Sequence, residues 1–113
     1  MIQIYHNSRC SKSRECLRLL EHSGLEFETI KYLETPPSFK ELEVIIGKLD
    51  VNPIELIRKK EKLWIENFKN KEFTAKELIQ IMVSNPILIE RPIVINVNKA
   101  IIARPIEKTS EII

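Results

Sequence analysis

Cys10 is the residue with the most chemistry to offer, because of where it falls. Ahead of it Ile2, Ile4 and Tyr5 form an apolar alternating run, and behind it Leu17, Leu19 and Leu20 recur at helical spacing. These patterns predict a strand over residues 2–7 and a helix over residues 11–23 that stops at Gly24. The thiol therefore sits where a strand turns into a helix. The first N–H groups of a helix have no intrahelical partner and carry the positive end of its dipole. A free thiol ionises near pH 8.5, whereas cysteines at helix starts or beside cations do so anywhere from roughly 3.5 to 7.5. His6, Arg9, Lys12 and Arg14 supply nearby positive charge. The same terminus favours oxyanions, so one segment can hold an attacking thiolate and an anionic substrate, with Arg14 among the candidates to bind the anion.

Each of the other candidates also has an ordinary structural role open to it. Cys10 can be read as a small buried apolar residue, but its polar neighbours at a helix start argue against that. Cys16 lies six residues on, about 9 Å along the helix, beyond the roughly 7 Å between Cα atoms that a disulfide tolerates. It is expected to face the core beside Leu17 and Leu20. A redox dithiol would need a cysteine at position 13, which is Ser13, so an oxidised Cys10 must be resolved by another molecule. A phosphatase-type loop would need an arginine where Cys16 stands. His6, Cys10, Cys16 and His22 lack the paired spacing of a structural zinc site, and no bound metal or cofactor is expected. His6 is either a structural strand-end residue or one placed to hydrogen-bond the loop or favour the thiolate. Arg91 and Arg104 each precede a proline beside apolar strands, where an unpaired guanidinium would be costly. Convergence on an anion is one resolution of that cost, since guanidinium forks bind oxyanions bidentately.

The elements that must position these residues follow from the rest of the chain. Glu26 to Tyr32 alternates as a second strand, giving β-α-β with parallel strands. Ser38 with Glu41 forms a capping box ahead of Phe39, Leu42, Ile45, Ile46 and Leu49. Asn52-Pro53 with Glu55 restarts a short helix, Leu63 to Phe68 suggests a further helical turn, and Thr74 with Glu77 caps a helix that Asn85-Pro86 ends. Ile93 to Ile95 and Ala100 to Ala103, joined by Asn96 to Lys99, read as an antiparallel hairpin. Their continuous apolar character suggests burial on both faces. Pro105 to Ile113 reads as a short helix or a tail. This order is that of an α/β, thioredoxin-like fold with a helical insertion between the second strand and the C-terminal hairpin. In that fold Arg91-Pro92 occupies the place of a proline facing the reactive sulfur.

With 113 residues the chain fits a single domain, residues 1–113, able to bury a core without disulfides or metals. Apolar residues at 43% and charged ones at 30% are ordinary for a globular protein. No stretch approaches the roughly 20 apolar residues of a membrane span, and the start lacks a signal peptide's pattern. Two cysteines make no disulfide framework, so a reducing, cytoplasmic compartment is expected. A net charge of +2 is too small to indicate a nucleic-acid surface. A monomer is expected.

Along nearly its whole length the sequence resembles the glutaredoxin-coupled arsenate reductases, the ArsC family. The resemblance is carried by Ile4-Tyr5-His6-Asn7 with Cys10 and Ser13-Arg14, by Tyr32-Leu33-Glu34-Thr35-Pro36-Pro37 and by Leu56-Ile57-Arg58-Lys59. It continues through Asn85 to Val94 and Arg104-Pro105. It implies that Cys10 attacks arsenate, that His6 lowers the thiol's pKa, and that Arg58, Arg91 and Arg104 hold the oxyanion. It further implies glutathione as co-substrate, with electrons passing through glutaredoxin. Ser8 departs from the proline common at that position. The resemblance extends to Spx, a redox regulator of the same fold that binds RNA polymerase, although Ser13 removes the second thiol of its C-x-x-C pair. A glutathione-dependent thiol reductase of another substrate is the third reading.

Overall fold

The computed structural model describes all residues, Met1–Ile113. They form two compact units, one of Met1–Thr35 with Arg91–Ile113 and one of Pro36–Glu90.

The first unit is built on a four-stranded sheet in the order β2-β1-β3-β4. Strand β1 (Ile2–Tyr5) runs parallel to β2 (Phe27–Ile30), with Ile2 opposite Phe27 and Tyr5 opposite Ile30. Helix α1 (Ser11–His22) makes the crossover, and Gly24 beyond its end takes a φ of +76°, the conformation a glycine tolerates best. The hairpin of β3 (Ile93–Asn96) and β4 (Lys99–Ile102) adds β3 antiparallel to β1. The topology is that of a thioredoxin-like fold. Arg91-Pro92 and Arg104-Pro105 are both cis.

Burial follows sheet order more closely than apolar composition suggests. Central β3 is buried on both faces, as its unbroken Ile93-Val94-Ile95 run predicts. Edge strand β4 leaves Ile101 and Ile102 half-exposed, because nothing pairs with its outer side. On one face, Ile2, Ile4 and Val94 pack with Cys16 and Leu20 of α1 and with Ala103, and Leu17, Phe27, Ile101, Ile106 and Ile112 close around them. Cys16 is fully buried, the core residue its spacing predicts. The C-terminal segment is a 3-10 helix (Ile106–Glu111) whose buried Thr109 lies 3.7 Å from the Cys16 sulfur.

The second unit is helical. Helix α2 (Phe39–Leu49) and helix α4 (Ala75–Ser84) start at the two expected capping boxes. In each, the cap hydroxyl of Ser38 or Thr74 accepts from the N–H of Glu41 or Glu77, and the glutamate accepts in return from the cap residue's N–H. Asn52 leads into a 3-10 helix (Pro53–Leu56), and α3 (Lys62–Asn67) carries Trp64 into a ring cluster with Phe68 and Phe73. Leu42, Ile45, Ile46, Leu78, Ile79 and Met82 bury the facing sides of α2 and α4.

Candidate active site

Cys10 is the N-cap residue of α1, half-buried, with extended backbone. The turn before it is closed by its own N–H donating to the Asn7 carbonyl at 3.0 Å, and the Arg9 N–H donates to Asn7 Oδ1 at 3.0 Å. These bonds fix the loop that presents the sulfur at the helix's positive end. Arg14, one turn into the helix, donates to the Ser8 carbonyl at 2.9 Å and so ties the loop to the helix.

Two guanidinium groups reach the sulfur from the base of the hairpin. Arg104 Nη2 donates to Cys10 Sγ at 3.5 Å, its Nε donates to the Arg91 carbonyl, and Arg91 hydrogen-bonds the same sulfur. The hairpin's geometry accounts for this meeting. The pairing of Ile93 with Ile102, carried two residues further, sets Arg91 opposite Arg104, and the Ala103 N–H bonds the Pro92 carbonyl at 2.9 Å between them. Partial burial of Cys10 opposes ionisation. The N–H of Ser13, the Arg91 hydrogen bond and charge, and the N–H of Lys12 outweigh it, so the thiol ionises below its ordinary range. Arg91 is affected reciprocally. Burial disfavours its charge, but Cys10 and the fully buried Tyr32 more than compensate and hold it above the usual arginine value.

His6 is 5% exposed and lies against Ser13, with Nδ1 2.6 Å from the serine hydroxyl. Burial is the main cause that lowers its pKa, and Lys31 and Arg14 add to the effect, while Ser13 acts in the opposite direction. The contact with Ser13 joins the end of β1 to the first turn of α1. The Ser13 hydroxyl also accepts from the Asn7 N–H at 3.0 Å, which links the loop to the same contact.

Arg58 belongs to the second unit. There its Nη1 is 3.1 Å from Glu90, its Nε is 3.5 Å from Glu61, and its N–H bonds the Leu88 carbonyl at 2.8 Å. Ser13, Tyr32 and Glu90 are the partners that sequence reading does not single out. Ser13 had one available signal, its phase: it shares the buried stripe of Cys16 and Leu20. Tyr32 and Glu90 fall within motifs of the family resemblance, but neither spacing nor pattern gives them these partners.

No group of histidine, cysteine and carboxylate side chains is arranged to hold a metal ion. No helix is long and apolar enough to cross a membrane. The arrangement does suit one chemistry: a polarised thiolate at a helix N-terminus, with two guanidinium forks beside it, can receive a tetrahedral oxyanion and attack its centre.

Comparison with known proteins agrees. The chain is 47% identical to the uncharacterised Escherichia coli K12 protein YfgD over 99% of its own length and 96% of that protein's. It is 40% identical to an arsenate reductase of Neisseria meningitidis, covering 99% of this chain and 97% of that one. The solved structure of an arsenate reductase from Vibrio cholerae superposes with a TM-score of 0.93 at 43% identity, over 99% and 97% of the two chains. Residues 5–112 match the ArsC family, and this chain belongs to it.

Proposed function

We propose that this protein is an arsenate reductase that uses Cys10 as its nucleophile and takes its electrons from external thiols. The observation that carries the reading is the convergence of Arg104, at 3.5 Å, and Arg91 on one sulfur at the start of α1. The Cys10 thiolate displaces hydroxide from arsenate to form a sulfur–arsenic bond. Glutathione replaces a second oxygen on arsenic. A glutaredoxin thiolate then attacks the glutathione sulfur, and the pair of electrons from the broken sulfur–arsenic bond stays on arsenic as As(III). Hydrolysis frees arsenite and returns the Cys10 thiol. External thiols are required because Ser13 stands in the resolving position and Cys16 is fully buried.

Arg91 and Arg104 are assigned to the oxyanion, Arg14 to the loop beside it. The role that the resemblance gives Arg58 is proposed on the sequence alone. The protein acts as a single-domain monomer in the cytoplasm, with no resident cofactor. The buried hydrogen bond that occupies Ser13 disfavours Spx-type sensing, which needs a second thiol there.

The test supplies purified protein with arsenate, glutathione and glutaredoxin and measures arsenite. The native chain turns over, Cys10→Ser does not, and Arg58→Ala, Arg91→Ala and Arg104→Ala each raise the KM for arsenate. Turnover that survives loss of Cys10 eliminates the mechanism.

A further inference from the structure

The carboxyl ends of the parallel strands β1 and β2 lead into two lips around a cavity of about 280 Å³. One lip is Asn7, Ser8 and Arg9, directly before Cys10, and the other is Lys31, Leu33 and Glu34. Parallel sheets commonly take ligands beyond their carboxyl ends. Backbone bonds shape both lips: the Arg9 N–H donates to Asn7 Oδ1 at 3.0 Å, and the Glu34 N–H donates to the Lys31 carbonyl at 3.0 Å. His6 and Asn7 are the buried members of the lining. Arg9, Lys31 and Glu34 carry charges of both signs at the rim, and none has an ion-pair partner within the chain.

Two cations and one carboxylate around an open cavity match a group that is itself a zwitterion, the ammonium and carboxylate of an α-amino acid. One lip of the site also directly precedes Cys10 in the chain. Successive Cα atoms are 3.8 Å apart, so Ser8 and Arg9 lie within about 8 Å of Cys10 along the chain. An extended two-residue thiol spans about 7 Å from its amino-acid end to its sulfur-bearing residue.

We propose that this cavity binds the amino-acid end of a small peptide thiol such as glutathione, with Arg9 and Lys31 on its carboxylate, Glu34 on its ammonium group, and its sulfur directed toward Cys10. The inference rests on the external-thiol reading above and gives that thiol a site.

The unreactive analogue S-methylglutathione, titrated into nitrogen-15-labelled native protein and followed by NMR, tests it without any turnover. Amide shifts are expected at Asn7, Ser8 and Arg9 and from Lys31 to Glu34. Binding is expected to weaken roughly tenfold in Arg9→Glu/Lys31→Glu, the combined effect of reversing two exposed charges. Shifts centred elsewhere, or an affinity within about twofold of native in that variant, overturn the proposal. Failure here and failure of the reductase reading are separable. Analogue binding at this cavity without arsenate turnover removes only the reductase reading. Arsenate turnover whose KM for glutathione is unmoved by the charge reversals removes only the cavity's role.

Discussion

His6 Nδ1 and Ser13 Oγ lie 2.6 Å apart, joining the end of β1 to the first turn of α1 through a buried hydrogen bond. The serine hydroxyl also accepts from the Asn7 N–H, so one oxygen organises the strand end, the loop and the helix that together frame Cys10. Ser13 is fully buried, and its own N–H favours the Cys10 thiolate.

Ser13→Ala is therefore expected to leave the His6 imidazole and the Asn7 N–H without a partner in a buried site. A loss of about 2 kcal/mol is expected in urea unfolding, typical of an orphaned buried polar group. A change below about 0.5 kcal/mol, the range of ordinary surface substitutions, would refute the organising role.

His6 also sets a pH dependence. Its folded pKa lies below its ordinary 6.5, so the unfolded chain binds a proton more readily than the native one. Its contribution to stability is complete above the unfolded value and is lost as pH falls through the folded one. Unfolding midpoints in urea at about pH 7 and about pH 5 should therefore diverge more in the native chain than in His6→Gln. Equal divergence in the two proteins would contradict the assignment.

Arg91 and Arg104 both reach Cys10, but they are not equivalent. Arg91 supplies a hydrogen bond and a direct charge effect that lower the thiol's pKa, whereas Arg104 contacts the sulfur at 3.5 Å while its Nε is committed to the Arg91 carbonyl. Arg91→Ala should raise the midpoint of Cys10 alkylation by iodoacetamide, followed against pH, by more than Arg104→Ala does. The reverse order would show that Arg104 is the principal cation.

Val97 adopts a φ of +57° in the two-residue connection between β3 and β4 and is 62% exposed. A β-branched residue is strained in the left-handed region, where asparagine is tolerated. Val97→Asn is expected to stabilise the protein by about 1 kcal/mol, read as a higher Tm in calorimetry. A lowered Tm would mean that Val97 makes a contact outweighing its backbone strain.

Local signals in the sequence were legible where the physics is local. The strand-to-helix junction at Cys10, both capping boxes, the glycine stop and the hairpin follow from periodicity and from the needs of helix ends, and the structure places each as expected. The pair of arginines before prolines stood out for a similar reason, since a cation beside apolar strands is costly without a partner, and in the structure both reach the Cys10 sulfur. The partners themselves were not legible. Cys10 meets Arg104 across 94 positions and Arg58 meets Glu90 across 32, distances that no spacing rule spans. His6 illustrates the same limit: the burial that lowers its pKa, and the Ser13 contact that acts against that lowering, are not specified by its own neighbours in sequence.

The hairpin couples two places that share no residue. Arg91 and Arg104 stand together at its open end because β3 and β4 are paired in one particular alignment, and that alignment is set at the far end by a connection of only Val97 and Asn98. One amino acid inserted there is expected to shift the strands past each other and carry the two cations out of step with the Cys10 sulfur, with every side chain still present. The length of a remote, solvent-facing bend in this sense decides which cations stand beside the thiol.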